Sequence, residues 1–526
     1  MMNQVDLNTN RIASATLEKS KNWAEFTVDR ILEKFPDLDL YTCAAGISPS
    51  GVVHFGNFRD IMTSLSIVNE LKKRGKKARL LFSWDNFDRF RKVPKNFDLE
   101  KYVPFIGLPL TAVPDPTGET ESYARKAEIE FETTMQILGV ELEYRYQTQC
   151  YTSGMYKEQI IKALQNKSRI AEIIYGFMSE KARTEKFESY AAFEADFWPI
   201  AVYSKFNNKD NTRILSFDGV SKVTYFCTDT NQEAELDFNT DTNAKLSWKI
   251  DWPMRWQFEG VVFEPGGKDH ATPGGSYDVS AVIAKEIFGY ESPIFVGYDF
   301  VGITGLEGKM SSSAGNAMSP AELLQVYTVD LLKFTYEKTP PQRTFNLSFG
   351  PEIYRQYDDL DKIQPELNSI PFKHAVAYGQ IVNWNPNKLV ELLRGIDLEY
   401  NNKSILERLP CAKNWLEKYN PDEMFKLLDT RNESYYSDLS ELEKSQIANL
   451  VEYIKTDSCE SIEAINLKVY GIPKDTSLTE QENKKLQRNF FSHIYFLLFN
   501  KNTGPRLATY IWAVEKSELI KLLDFA

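Results

Sequence analysis

Along the first eighty-five residues, apolar and polar positions fall into blocks whose period changes. NWAEFTVDRILEKFPDLD (22–39) spaces its apolar residues three and four apart, predicting a helix that Pro36 ends. LYTCAAG (40–46) is a nearly continuous apolar run and predicts a buried strand. NFRDIMTSLSIVNELKKRG (57–75) returns to helical spacing and stops at Gly75, and KKARLLFSWD (76–85) predicts a second buried strand. Between the first strand and its helix lies the glycine-bearing loop GISPSGVVHFGN (46–57). Strand, loop, helix, strand is a βαβ unit of a parallel sheet, and its first turn is a standard phosphate site.

From about Phe90 to about Asn243 the pattern loosens. Prolines cluster in LPLTAVPDPTG (108–118), and helical spacing covers Ser122 to Leu138 and SGMYKEQIIKALQNKSRIAEIIYGFM (153–178). Strand-like segments follow in WPIAVYSKF, TRILSFDG and KVTYFCTD. The region reads as an α+β insertion. The α/β pattern resumes at GVVFEPGGKDH (260–270), with a helix from near Ser276 and a strand region in SPIFVGYDFVGI (292–303). After about Ser319 helical spacing dominates, as in PAELLQVYTVDLLKFTYEK and KKLQRNFFSHIYFLLFN. The expected fold is α/β: a Rossmann-type parallel-sheet domain with an α+β insertion, followed by a mostly α-helical C-terminal region. The expected segments are 1–37, a split core of 38–95 and 244–318, an insertion of 96–243, then 319–385 and 386–526.

Composition narrows the class. Hydrophobic content of 42% and charged content of 26% are ordinary for a globular protein. The net charge of −12 excludes a general polyanion binder while allowing a localised basic face. The five cysteines are scattered and no CxxC occurs, which predicts neither a disulfide framework nor a zinc site. No apolar run is long enough to span a membrane and the N-terminus has no apolar signal core, so a cytoplasmic protein without membrane contact is expected.

Two short motifs carry chemistry. His54-Phe55-Gly56-Asn57 stands where the first strand hands over to the first helix, and free N–H groups and the helix dipole there favour an anion. His54 and Asn57 can donate to phosphate oxygens; the plainer reading makes His54 a helix cap. Far downstream, GLEGKMSSSAGNAMS (305–319) holds Lys309-Met310-Ser311-Ser312-Ser313 between glycines. A lysine among hydroxyls suits a triphosphate; the plainer reading is a polar loop.

In this order the pair resembles the two signatures of class I aminoacyl-tRNA synthetases. Their surroundings, WDNFDRFRKVP, KLSWKIDWPMRW and FEPGGKDHATPGGSYDVS among them, resemble the class I lysyl-tRNA synthetases, densely over residues 40–95 and 245–320. The resemblance implies an enzyme that activates L-lysine with ATP, Mg2+ assisting, and passes it to the 2′-hydroxyl of the terminal adenosine of lysine tRNA. It implies ATP contacts at His54, Gly56, Asn57, Lys309, Met310, Ser311 and Ser312, with His54, Asn57 and Lys309 stabilising charge on the phosphates. Gly46, Ser48, Trp248, His270 and Tyr298 fall on positions lining the lysine pocket. From the residues themselves, an ε-ammonium site needs a carboxylate, an aromatic face or both, and WKIDWPMRW offers Asp251 among three tryptophans. The implied partners are lysine, ATP and lysine tRNA at its acceptor end and anticodon, with the enzyme as a monomer. Residues 319–385 then read as a stem-contact-like region and 386–526 as an anticodon-binding domain.

The sequence departs from the family where zinc-binding cysteine pairs often stand in the insertion. Tyr203 and Phe206 occupy the first pair and only Cys227 is left of the second, so no zinc is expected and packing of the aromatic replacements is expected to hold the module. Phe55 stands where isoleucine or valine is usual and reads as a packing change. The basic run LKKRGKKAR (71–79) reads as a helix C-terminus rather than an RNA contact. Two alternatives stay open at this point: a relative that passes the activated amino acid to a non-tRNA acceptor, and a catalytically silent RNA-binding relative.

Overall fold

The structure is a computed structural model that describes residues 10–19, 22–51, 53, 55–304, 318–456 and 461–525. Its strands are β1 Arg11–Ile12, β2 Tyr41–Ile47, β3 Ala78–Trp84, β4 Glu143–Tyr146, β5 Ile200–Val202, β6 Thr212–Phe217 and β7 Lys222–Cys227. They continue with β8 Gln232–Asp237, β9 Ala244–Leu246, β10 Val261–Gly267, β11 Ile294–Tyr298, β12 Val301–Ile303 and β13 Phe345–Leu347.

Six strands form one parallel sheet in the order β1-β11-β10-β2-β3-β4. The apolar runs Tyr41–Ala45, Leu80–Phe82 and Val261–Phe263 are buried because helices cover a parallel sheet on both faces. From β2 the chain builds outward through β3 and β4, then returns to the other side of β2 as β10 and β11. The order reverses between β2 and β10, and such a switch opens a crevice at the carboxyl ends of the strands.

The helix Phe55–Lys73 packs on β2, β3 and β10 and buries Phe58, Ile61, Met62, Ile67 and Leu71. It begins two residues before the expected Asn57. Phe55 is itself buried, so its ring anchors the first turn in the core as a packing residue. The Ser64 hydroxyl donates to Ala44 O at 2.7 Å, a small side chain that lets helix and strand approach closely. The basic run after this helix is absorbed locally. Arg74 pairs with Glu70 and Asp29, and Arg79 pairs with Glu143 and Glu259.

The expected insertion contributes β4 to the main sheet, where Ser83 aligns with Arg145 and Trp84 with Tyr146. Four residues of mixed aromatic and charged character carry too little periodicity to read as a core strand. The long helical stretch expected over 153–178 is two helices, Lys157–Gln165 and Lys167–Phe177, broken at Asn166. Three antiparallel strands, β6-β7-β8, and the pair β5-β9 complete the region.

In the turn that carries Tyr203 and Phe206 in place of a cysteine pair, Tyr203 is buried and donates to Phe87 O at 2.6 Å, while Phe206 is exposed. Hydrogen bonds hold the rest of the turn. Lys205 N–H donates to the Tyr225 hydroxyl at 2.9 Å, and the Asn207 and Asn211 amides donate to Asp229 at 2.9 and 3.0 Å. Packing therefore accounts for Tyr203 but not for Phe206. Among the described residues no group of three His, Cys, Asp or Glu side chains is placed to hold a metal ion.

The chain divides into two compact units, Met1–Leu323 with Leu332–Leu347, and Leu324–Leu331 with Ser348–Ala526. Residues 345–347 rejoin the first unit because β13 pairs in parallel with β12. The second unit is helical around a core of Tyr357, Phe372 and Trp415, with the Tyr357 and Phe372 rings stacked at 4.2 Å. No helix among the described residues is long and apolar enough to cross a membrane.

Candidate active site

Three strand ends meet at the switch point. Gly46, near the end of β2, donates its N–H to Asp60 Oδ2 at 3.2 Å. A Cβ at Gly46 would lie 3.2 Å from Ser83 O, so the strand ends here come too close for a larger residue without a shift. Asp60 comes from the second turn of the helix Phe55–Lys73, and the Tyr298 hydroxyl at the end of β11 also donates to it. Glu264 is the single charged residue of β10, and the Trp256 indole N–H donates to it at 2.6 Å.

Asp60 is buried, whereas Glu264, Gly46, Gly267, Gly297 and Tyr298 are half-buried. Burial pushes the Asp60 carboxyl well above the ordinary carboxylate range, and Glu264 beside it adds to the shift. Burial likewise pushes Glu264 up to about 7. Among the described residues no Lys or Arg forms an ion pair with either carboxyl. Two acids share the crevice floor without a paired cation.

One wall of the crevice is the helix Trp248–Glu259, where spacings of three and four place Trp248, Asp251, Trp252, Arg255 and Trp256 along one side. Trp248 is exposed and stacks on Trp252 at 5.0 Å, and His270 faces both rings at 6.2 and 5.8 Å. The Arg255 guanidinium lies under Trp248 at 5.3 Å. It reaches Asp85 at 2.8 Å and Asp251 at 2.9 Å. Burial works against the Arg255 charge, but Asp251 and Asp85 together outweigh it and hold the guanidinium protonated.

Asp251 is fully buried, with one oxygen on Arg255 and the other accepting from the Tyr151 hydroxyl. The carboxylate picked out of WKIDWPMRW therefore turns into the protein and meets the crevice only through Arg255. A carboxylate with its cation supplied internally is spent; among the described residues Asp60 and Glu264 form no ion pair with a cation.

His270 sits on the short helix Lys268–Ala271 that follows β10, and burial holds its imidazole below the ordinary histidine range. Gly266, two strand positions after Glu264, is required by packing, since a Cβ there would lie 2.8 Å from the Phe295 ring. Ser48 is half-buried just past β2. Gly56 and Asn57 are half-buried in the first turn of the helix Phe55–Lys73.

His54, Lys309, Met310, Ser311 and Ser312 lie outside the described residues. Their neighbours do meet: Phe55 N–H donates to Met318 O at 3.1 Å, joining the residue after His54 to the residue after 305–317. The structure thus brings Gly46 and Tyr298 together through Asp60, and Trp248 together with His270. Sequence reasoning missed Asp60, Glu264, Asp85 and Arg255. Glu264 had a signal, a lone acid in an otherwise uncharged buried strand, and Asp85 follows a strand end at the sheet's carboxyl edge. Asp60 had none, because a helix tolerates Asp on any exposed face.

The chain matches the family model described as tRNA synthetases class I (K) over residues 21–378. It is 34% identical to a lysine–tRNA ligase of Borreliella burgdorferi, covering 94% of this chain and 97% of that one. It is 30% identical to lysine–tRNA ligases of Treponema pallidum, over 96% and 99% of the two chains, and of Pyrococcus horikoshii, over 95% and 99%. Both the Borreliella and the Pyrococcus relative align over 94–95% of this chain, more than the family model's residues 21–378 span, and the chain belongs to the class I (K) tRNA synthetases.

Proposed function

We propose that this chain is a lysine–tRNA ligase that activates L-lysine with ATP to lysyl-adenylate, expels pyrophosphate, and transfers lysine to the 2′-hydroxyl of the terminal adenosine of lysine tRNA. The observation that carries the lysine half is the unpaired acid couple, Asp60 and Glu264, on the floor of a crevice walled by Trp248 and His270. One buried and one half-buried carboxyl with an aromatic face form a receptor for an ammonium group. An aliphatic or anionic side chain would leave them without a partner, which is costly in a dry site. Gly46, Ser48, Trp248, His270 and Tyr298 line the amino acid, while Asp251 acts by holding Arg255 beneath Trp248.

The ATP half rests on the start of the helix Phe55–Lys73. His54, Gly56 and Asn57 meet the phosphates there, and Lys309, Met310, Ser311 and Ser312 close on them from the second motif. His54, Asn57 and Lys309 stabilise charge as the lysine carboxylate attacks the α-phosphate. Mg2+ arrives on the nucleotide and supplies charge neutralisation at its phosphates; no residue here is assigned to hold it. No protein nucleophile is needed, since positioning and electrostatics suffice. The split core of 38–95 and 244–318 is the catalytic domain, 96–243 the connective insertion, 319–385 the stem-contact-like region and 386–526 the anticodon-binding domain, acting as a monomer in the cytoplasm.

Lysine-dependent ATP–pyrophosphate exchange, followed by charging of lysine tRNA, tests the reading. Both are expected, and His54→Ala is expected to abolish exchange while leaving thermal unfolding nearly unchanged. Exchange without charging would point to a non-tRNA acceptor. Absence of lysine-dependent exchange would remove the proposed activity.

A further inference from the structure

The residues flanking the two phosphate motifs are fastened to a third segment that belongs to neither. Phe55, directly after His54, accepts a hydrogen bond at its carbonyl from the Tyr336 hydroxyl at 2.8 Å. Its N–H is the one that donates to Met318 O. On the other side of 305–317, Thr304 N–H donates to Leu347 O at 2.8 Å, where β12 pairs with β13. The start of the phosphate-facing helix and one flank of 305–317 are thus tied directly to residues 336–347. The other flank is tied to them through Phe55.

Arg59 locks that segment in place. It stands one turn beyond Phe55 and is buried at 2% exposure. Its Nη1 donates to Tyr336 O at 3.2 Å, and its Nη2 to Pro340 O at 2.7 Å, Thr339 O at 3.0 Å and Arg343 O at 3.4 Å. Several of these are the end of the helix Val329–Glu337 and the turn after it, where carbonyls lack intrahelical partners and the dipole is negative. Phe345 covers the guanidinium at 5.0 Å, and Phe58 meets Tyr336 edge-on at 4.9 Å.

Burial lowers the Arg59 pKa to about 10, which leaves it charged at neutral pH. Among the described residues it forms no ion pair with a carboxylate; four backbone carbonyls and the Phe345 ring face its charge. Apolar packing could hold the same surfaces together but would let them slide. A planar fork reaching four carbonyls fixes their register.

We infer that Arg59 and Tyr336 are positioning residues for ATP: together they fix the start of the helix Phe55–Lys73, which carries Gly56 and Asn57, against residues 336–347. The inference rests on the proposed ATP roles of Gly56 and Asn57. Arg59 is the chain neighbour of Asp60 and its charge acts on Tyr298, whereas the Tyr336 hydroxyl meets Phe55, so Tyr336→Phe is the change that alters ATP binding and spares lysine binding.

The test uses the full chain and two separate calorimetric titrations, one with a non-hydrolysable ATP analogue and Mg2+, one with lysine alone. Tyr336→Phe removes the hydroxyl that donates to Phe55 O and is expected to weaken the ATP analogue about fivefold, the value of one hydrogen bond. Lysine affinity is expected to stay within about twofold, the scatter of a distant change. Arg59→Lys keeps the charge but loses the fork, and is expected to shift the same way. An unchanged ATP-analogue affinity in both variants overturns the inference, as does an equal loss of lysine affinity in Tyr336→Phe. A parent chain that binds the analogue but shows no lysine-dependent exchange would instead overturn the proposed activity, leaving the latch to be judged from the variant-to-parent ratio.

Discussion

Glu264 shows how one carboxyl can report on both stability and substrate. Burial raises its pKa from 4.5 to about 7, with Asp60, Asp85, Arg255 and the Trp256 indole around it. A carboxyl that binds its proton more tightly when folded favours folding while protonated, and that contribution is lost as pH rises through the folded pKa. Glu264→Gln mimics the protonated form. It is therefore expected to melt above the parent at pH 8, the gap closing toward pH 5, in thermal scans across that range. An incoming ammonium favours the ionised form, so lysine binding is expected to tighten from pH 6 to pH 8 and to release protons, read by calorimetry in buffers of different ionisation enthalpy. The same substitution removes a charged partner from the substrate and is expected to raise the lysine KM in pyrophosphate exchange by about tenfold or more. A lysine KM unchanged in Glu264→Gln would remove this residue from the receptor. Little of this was legible in advance. The sequence marks Glu264 as an oddity in a buried strand, but that Asp60 stands beside it depends on a helix folding back over the strand ends.

At the scale of the element, the helix Trp248–Glu259 joins the crevice wall to the interior. Its spacing alone puts the tryptophans, Asp251 and Arg255 on one side, so a reader of the sequence could have grouped them. Which of them faces the substrate could not be read, because that depends on Tyr151 and Asp85 arriving from other segments. The pairing predicts an asymmetry. Arg255→Met strips the cation from two buried carboxylates and is expected to cost about 3–5 kcal/mol in urea unfolding. Asp85→Asn leaves the Arg255–Asp251 pair in place and is expected to cost clearly less. Equal losses in the two variants would argue against the shared cation. The same helix ends on Gly260 at φ 65°, a left-handed cap that Ala adopts only with strain, so Gly260→Ala is expected to lower stability by about 1 kcal/mol.

For the whole molecule, a chain of net charge −12 has to engage a polyanion if it charges tRNA. Only localised basic contacts can then hold the nucleic acid, and each phosphate contact releases counterions. Raising salt from 50 to 200 mM is expected to raise the KM for lysine tRNA by about tenfold or more, while lysine-dependent pyrophosphate exchange changes little. A charging KM insensitive to salt would argue for recognition without phosphate contacts. The division into two units also belongs to this scale. Helical periodicity dominates after Ser319 and reads as two segments, 319–385 and 386–526, yet residues 332–347 return to the first unit because three residues of β13 find β12. So short a strand leaves no periodic trace, and only its distant partner makes it one.

Local periodicity determined the βαβ start, the helix Phe55–Lys73, the return of the sheet at Val261 and the helical C-terminal region, because period and burial are properties of neighbouring residues. Motif order determined the family, since two rare signatures in sequence are a joint constraint. The tertiary structure alone decided which carboxylates have an ion-pair partner and which have none among the described residues. Asp251 and Glu264 are both acids among tryptophans, and what separates their roles is a guanidinium that reaches one and forms no ion pair with the other.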